Sequence, residues 1–183
     1  EPTISLVTLL LEDLYNIYNK TGNVPFFDLK DVRNVIEHTI PLRYGQVTDI
    51  SPDIRLTFHR SGHILGGASA HLHVGESLHN VLYTSDFRLE KSLLLDPANT
   101  KFPRVDSLIM ESTYGDERDV MPPRSDVESS FLSKIRHTLE ANGKVLIPSL
   151  AVGRAQEIML ILDKAIRNGQ LEQVPIFIDG MIM

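Results

Sequence analysis

Cysteine is absent from the 183 residues. Disulfides and cysteine-ligated zinc are therefore excluded, and a reducing, cytoplasmic setting is the expected one. An excess of positive charge is also missing: 18 Lys and Arg stand against 24 Asp and Glu, giving a formal net charge of −6. A nucleic-acid partner would have to be met by a local basic lining, because no global field attracts it. No uninterrupted apolar run is long enough to span a bilayer. The opening, Glu1-Pro2, offers neither a Met nor the basic start of a signal peptide. What is present is ordinary for a folded domain: 42% apolar and 23% charged residues exclude wholesale disorder. The end, Ile176-Phe-Ile-Asp-Gly-Met-Ile-Met183, reads as a strand and the beginning of another element, so the expectation is a fragment of a longer protein.

Along the chain, apolar residues at Ile4, Leu6, Val7, Leu10, Leu11, Leu14, Ile17 and Tyr18 have helical spacing, with Thr3 or Ser5 as the expected cap. Asp28 is the expected N-cap of a second helix running to about His38, with Leu29, Val32, Val35 and Ile36 inward. Partial alternation then predicts strands over 43–50, 54–59, 68–74 and 80–84, with turns at 51–53 and 75–77, in a mixed or antiparallel sheet. From Val105 the rhythm becomes strand, helix, strand, helix, strand: 105–110, 124–141, 145–148, 153–168 and 174–178. Asn142-Gly143 closes the first of these helices. That order predicts parallel pairing with right-handed crossovers, and ligands bind at the strands' carboxyl ends.

Four stretches carry candidate chemistry. Ser61-Gly-His-Ile-Leu-Gly-Gly-Ala68 sets His63 among glycines that let a backbone approach a ligand closely. Tyr83-Thr-Ser-Asp86-Phe87 places Asp86 just past an apolar strand. Imidazole nitrogen and carboxylate oxygen suit zinc, manganese or iron, and the two are expected to converge. A lone His or Asp in a loop is more often satisfied by local hydrogen bonds; it is the pairing that favours ligands. His59 reads as a supporting residue, and His71, His73 and His79 as surface or packing residues on or beside one strand. Glu111, in Glu111-Ser-Thr-Tyr-Gly115, can orient a ligating imidazole, and Ser112 and Thr113 offer hydroxyls suited to phosphate. In Ser149-Leu-Ala-Val-Gly-Arg154-Ala-Gln-Glu157, Arg154 enters a helix N-terminus. It either grips a phosphate or pairs with an acid such as Glu157. Gly-Lys-Ser/Thr is missing, so this is no Walker loop.

In this order and spacing, the four stretches resemble the β-CASP branch of the metallo-β-lactamase superfamily, in particular archaeal and bacterial relatives of the cleavage and polyadenylation specificity factor nuclease. The resemblance implies an α/β fold: part of a metallo-β-lactamase αβ/βα sandwich over residues 1–115, then the start of a parallel α/β β-CASP domain over 116–183. It implies a metal-dependent ribonuclease, acting in mRNA 3′-end processing or RNA decay, with RNA as partner, no membrane, and room for a homodimer of the full-length protein. It further implies two zinc ions, with His63 ligating one, Asp86 bridging both and acting in catalysis, and Glu111 as the acidic residue that supports the site. Ser112, Thr113 and Arg154 would hold backbone phosphates. Ser85 stands where the family usually has glycine in Thr-Gly-Asp. The family's His-x-His-x-Asp-His signature is not in the chain. With two donors where a catalytic zinc takes about three, the isolated chain is expected to hold no stable dinuclear site and to be inactive. The competing readings are a non-catalytic scaffold subunit of an RNA-processing complex and another hydrolase of the same superfamily.

Overall fold

The computed structural model describes residues 2–75 and 78–180. Part of the expected turn at 75–77 and the end of the chain at 181–183 lie outside the described residues. The residues divide into two compact units: the first comprises Glu1–Lys91 and Leu95–Glu111, the second Ser92–Leu94 and Ser112–Met183.

In the first unit, helix α1 spans Pro2–Lys20 and α2 spans Leu29–Glu37. Proline suits a helix's first turn, where its missing N–H has no intrahelical partner. Thr3 consequently lies inside α1 and does not cap it; its hydroxyl donates to Gly66 O instead. Asp28 caps α2 as expected, accepting from Lys30 N and Asp31 N, while Asp31 reaches back to the Asp28 N–H. Of the inward positions expected on α2, only Val32 is buried; Leu29 and Val35 are exposed.

Five strands follow, β1 (Val47–Ser51), β2 (Ile54–Arg60), β3 (Ala68–Val74), β4 (His79–Tyr83) and β5 (Ser107–Ile109), in the spatial order β1-β2-β3-β4-β5. The first three pairings are antiparallel and β4–β5 is parallel. Of the mixed or antiparallel sheet expected over 43–84, the strands there take the antiparallel form, and β5 adds the parallel pair. Its two faces differ in kind. Thr57, Ser69, His71, Asn80, Leu82 and Thr84 share one register face and are all buried. Leu56, Phe58, Ala70, Leu72, Val74 and Val81 share the other and are half-buried. The most buried face of the sheet is thus largely polar, and residues 97–106 cross it.

Burying polar groups is costly unless they are hydrogen-bonded, and here the bonds form a directed chain. Asn80 donates to Asp106 Oδ2 at 3.0 Å, which leaves its Oδ1 to accept from His73 Nδ1 at 2.8 Å. His73 Nε2 then faces the Thr57 hydroxyl at 3.3 Å. His71 donates through Nε2 to Arg104 O at 2.9 Å, and Asn99 donates to His59 Nδ1 at 3.1 Å. Phe102 stands edge-on to both His59 and His71. The bonds from Asn80, and then from Arg104, hold the Asp106 carboxyl down at about 2. Burial pushes His59 and His71 below the ordinary imidazole value.

The second unit contains α3 (Arg124–Glu140) and α4 (Arg154–Arg167). Ile135, Leu162, Ala165 and Leu171 form its core, with Phe131, Leu132 and Leu139 against it, while Val127 points outward. Asn142 takes φ +54° after α3, the left-handed residue expected there. Segments 145–148 and 174–178, expected as strands, carry no ladder hydrogen bonds, and Leu146 and Phe177 are each 92% exposed. A strand exists only through a partner that takes up its N–H and C=O groups. The described residues of this unit offer these segments none. Among the described residues no helix is long and apolar enough to cross a membrane.

Candidate metal centre

His63 lies in the connection between β2 and β3, and Asp86 just after β4, on the strand that flanks β3. Both loops therefore emerge at the same end of neighbouring strands. Their side chains meet, with His63 Nε2 and Asp86 Oδ2 3.7 Å apart and side-chain exposures of 47% and 68%. Donors on one tetrahedral zinc, each about 2.0–2.2 Å from the ion, lie roughly 3.3–3.6 Å from one another. At 3.7 Å the pair stands just beyond that range, so a small side-chain adjustment would bring the two donors to neighbouring positions around one ion, and both are open to solvent. Among the described residues no group of three or more His, Cys, Asp or Glu able to hold a metal is found.

The loops are fixed by backbone bonds as well as side chains. Gly62 has φ +71°, and a Cβ there would lie 2.7 Å from Ala98 N and 2.8 Å from Arg88 O. Only glycine allows so close a pass. Arg88 N donates to Ser61 O at 2.9 Å, tying the segment after Asp86 to the one before His63. Thr3 holds Gly66 O from α1, and the Tyr44 hydroxyl donates to Gly67 O at 2.8 Å. Glu111, half-buried beyond β5, accepts from Phe87 N at 3.3 Å, and its own N–H donates to Thr84 Oγ1 at 3.4 Å. Its carboxylate therefore braces the turn that presents Asp86.

Ser112, Thr113 and Arg154 belong to the second unit and are exposed. Arg154 opens α4 behind Gly153, where Gln156 folds back, accepting from Gly153 N and donating to Ala151 O. Of the two readings of Arg154, pairing with Glu157 is not what the structure shows. Glu157 is 6% exposed and turned to Arg124, 3.6 Å away, and to Leu93 N at 2.9 Å. His59, His71 and His73 are packed into the polar sheet face, in keeping with a supporting or packing role. His79 is exposed and bonds Ser107.

A family model described as the metallo-beta-lactamase superfamily domain matches residues 1–113, well over half of the chain. The chain belongs to the metallo-beta-lactamase superfamily. Members of that superfamily generally bind metal ions, often zinc, and have hydrolase potential. The chain is also similar to proteins named transcription termination factor FttA. The identity is 51% over 181 residues for those of Pyrococcus horikoshii and Methanothermobacter thermautotrophicus, and 45% for that of Methanosarcina mazei. Each match covers 99% of this chain and 28% of the relative, so the chain spans less than a third of the length of these relatives.

Sequence reasoning passed over Ser69, Tyr44 and the Arg124–Glu157 pair. Ser85 drew notice only as a departure from glycine. Hydroxyls that donate to distant carbonyls leave no local pattern, so nothing in the sequence announces them.

Proposed function

We propose that this chain forms part of a metal-dependent ribonuclease that hydrolyses RNA phosphodiester bonds. Residues 1–115 would be lactamase-type and 116–183 the start of a β-CASP-type domain. The observation that carries the reading is the 3.7 Å approach of His63 Nε2 to Asp86 Oδ2 on two braced, solvent-open loops. Superfamily membership supports metal use, and the relatives' name, transcription termination factor, supports RNA as the substrate class.

In this reading His63 and Asp86 would be two of the ligands of a metal ion, which when bound would supply Lewis acidity. Glu111 keeps the Asp86 carboxylate in place through the Phe87 amide, so the donor arrives oriented and loses little entropy on binding. Ser112 and Thr113 offer hydroxyls and Arg154 a forked donor to backbone phosphates. Because the formal net charge is −6, these local groups, and no overall field, would have to attract the RNA. The test is RNA cleavage by the protein at the full length of its relatives. Asp86→Ala and His63→Ala should each reduce cleavage at least 100-fold with the fold retained, since metal-ligand loss typically abolishes the bound ion's contribution. Wild-type protein that holds no metal and leaves RNA intact would instead favour the scaffold reading.

A further inference from the structure

The two ligand-bearing loops are joined by a second, side-chain-built connection. Ser85 Oγ donates to Ala68 O at 2.7 Å, and Ser69 Oγ donates to Thr84 O at 2.9 Å. The bonds run in opposite senses: the turn before Asp86 reaches the start of β3, and β3 reaches back to the same turn. Ser69 is 4% and Thr84 8% exposed, so water competes little for this pair. Ser85 makes its bond from φ +51°, a backbone conformation unfavourable for any residue with a Cβ. Glycine would fit that backbone more easily, yet could not supply the hydroxyl. Ala68 and Ser69 directly follow the residues 61–67 that carry His63, so a bond to them sets the height of one donor relative to the other.

We propose that Ser85 and Ser69 are positioning residues: their crossed hydroxyl-to-carbonyl bonds clasp the Asp86 turn to the His63 loop and set the spacing of the two metal donors. This rests on the reading of His63 and Asp86 as ligands, and the experiment separates the two. In the metal-free chain, amide exchange at Arg88, whose N–H bonds Ser61 O between the loops, reports the clasp alone. Ser85→Gly and Ser69→Ala should each speed that exchange about five-fold, the effect of losing one net hydrogen bond. The interior β3–β4 amides should be unchanged. Ser85→Gly also relieves the left-handed strain, so its urea midpoint should stay near wild type while the loops loosen, an outcome that general destabilisation would not give. Cobalt(II) alone is then added as the metal probe to the protein at the full length of its relatives, because the isolated chain with two donors is not expected to hold a stable site, and the His63 and Asp86 signals are followed by NMR. In wild type both should broaden over the same concentration range. In Ser85→Gly the concentration for joint broadening should rise about five-fold. Arg88 exchange within two-fold of wild type in both variants overturns the clasp whatever cobalt does. Faster exchange with an unchanged cobalt response overturns the positioning role. If wild type shows no joint broadening, the ligand reading fails, and the exchange data alone decide the clasp.

Discussion

Removing the side chain of Asn80 should cost the first unit far more than its small volume suggests. Asn80 is 2% exposed and sits between His73 Nδ1 at 2.8 Å and Asp106 Oδ2 at 3.0 Å. In Asn80→Ala the half-buried His73 N–H is left without its acceptor, a loss of about 1–3 kcal/mol. Asp106 also loses one donor, but keeps the Asn80 backbone N–H at 2.7 Å and the Arg104 guanidinium at 2.9 Å. Its share is accordingly small. The expected loss is therefore about 1–3 kcal/mol, read as a lower urea midpoint at unchanged slope by far-ultraviolet circular dichroism. The reasoning also demands coupling. His73→Phe removes the orphaned donor, so adding Asn80→Ala to it should cost at least about 1 kcal/mol less than Asn80→Ala alone. A single-variant loss under about 0.5 kcal/mol, or strict additivity of the pair, would refute the directed chain from Thr57 to Asp106.

Two further outcomes follow from buried ionisable groups. Burial lowers the folded-state values of His59 and His71 below the 6.5 of an exposed imidazole. As pH falls through 6.5 the unfolded chain takes up protons first, so this contribution to stability is present above 6.5 and is lost below it. Urea midpoints should therefore fall between pH 7.5 and 5, and His71→Phe should flatten that slope. In the second unit, Glu157→Ala strips Leu93 N and Arg124 of an acceptor. Arg124 keeps Glu128, so the loss should be about 2–3 kcal/mol, below the 3–5 typical of a fully severed buried pair. Exchange of the α4 amides measures it.

How much of this was legible depended on how local the cause was. Asp28 and Asn142 mark helix ends because a cap acts within a few residues of itself, and both lie where the pattern puts them. The strand 68–74 was readable for the same reason: it is bounded by glycine on both sides and alternates throughout. Convergence of His63 and Asp86 followed from two loops ending adjacent strands at one edge. Arg124 and Glu157 stand 33 positions apart on different helices, and no spacing rule links them. Segments 145–148 and 174–178 have strand composition, but composition cannot supply the neighbour that a ladder needs. The polar sheet face was the least legible feature, since His71 and His73 on alternate positions look like the solvent side of a strand.

The face has a physical role of its own. Side chains alternate across a strand, so sliding β3 against β4 by one residue would exchange His71, His73 and Ser69 for Ala70, Leu72 and Val74. An apolar face tolerates such a slip poorly but has many nearly equivalent packings. A hydrogen-bonded face has one: His73 must meet Asn80, Ser69 must meet Thr84, and Asn80 must meet Asp106. Each is specified in direction and length, and a slipped register would bury several unpaired groups at about 1–3 kcal/mol apiece. The register of β3 on β4 fixes how far residues 61–67 and the Asp86 turn project beyond the sheet. The separation of His63 and Asp86 is therefore set by polar residues along the length of the strands, of which the Ser69–Ser85 clasp is the last step before the site.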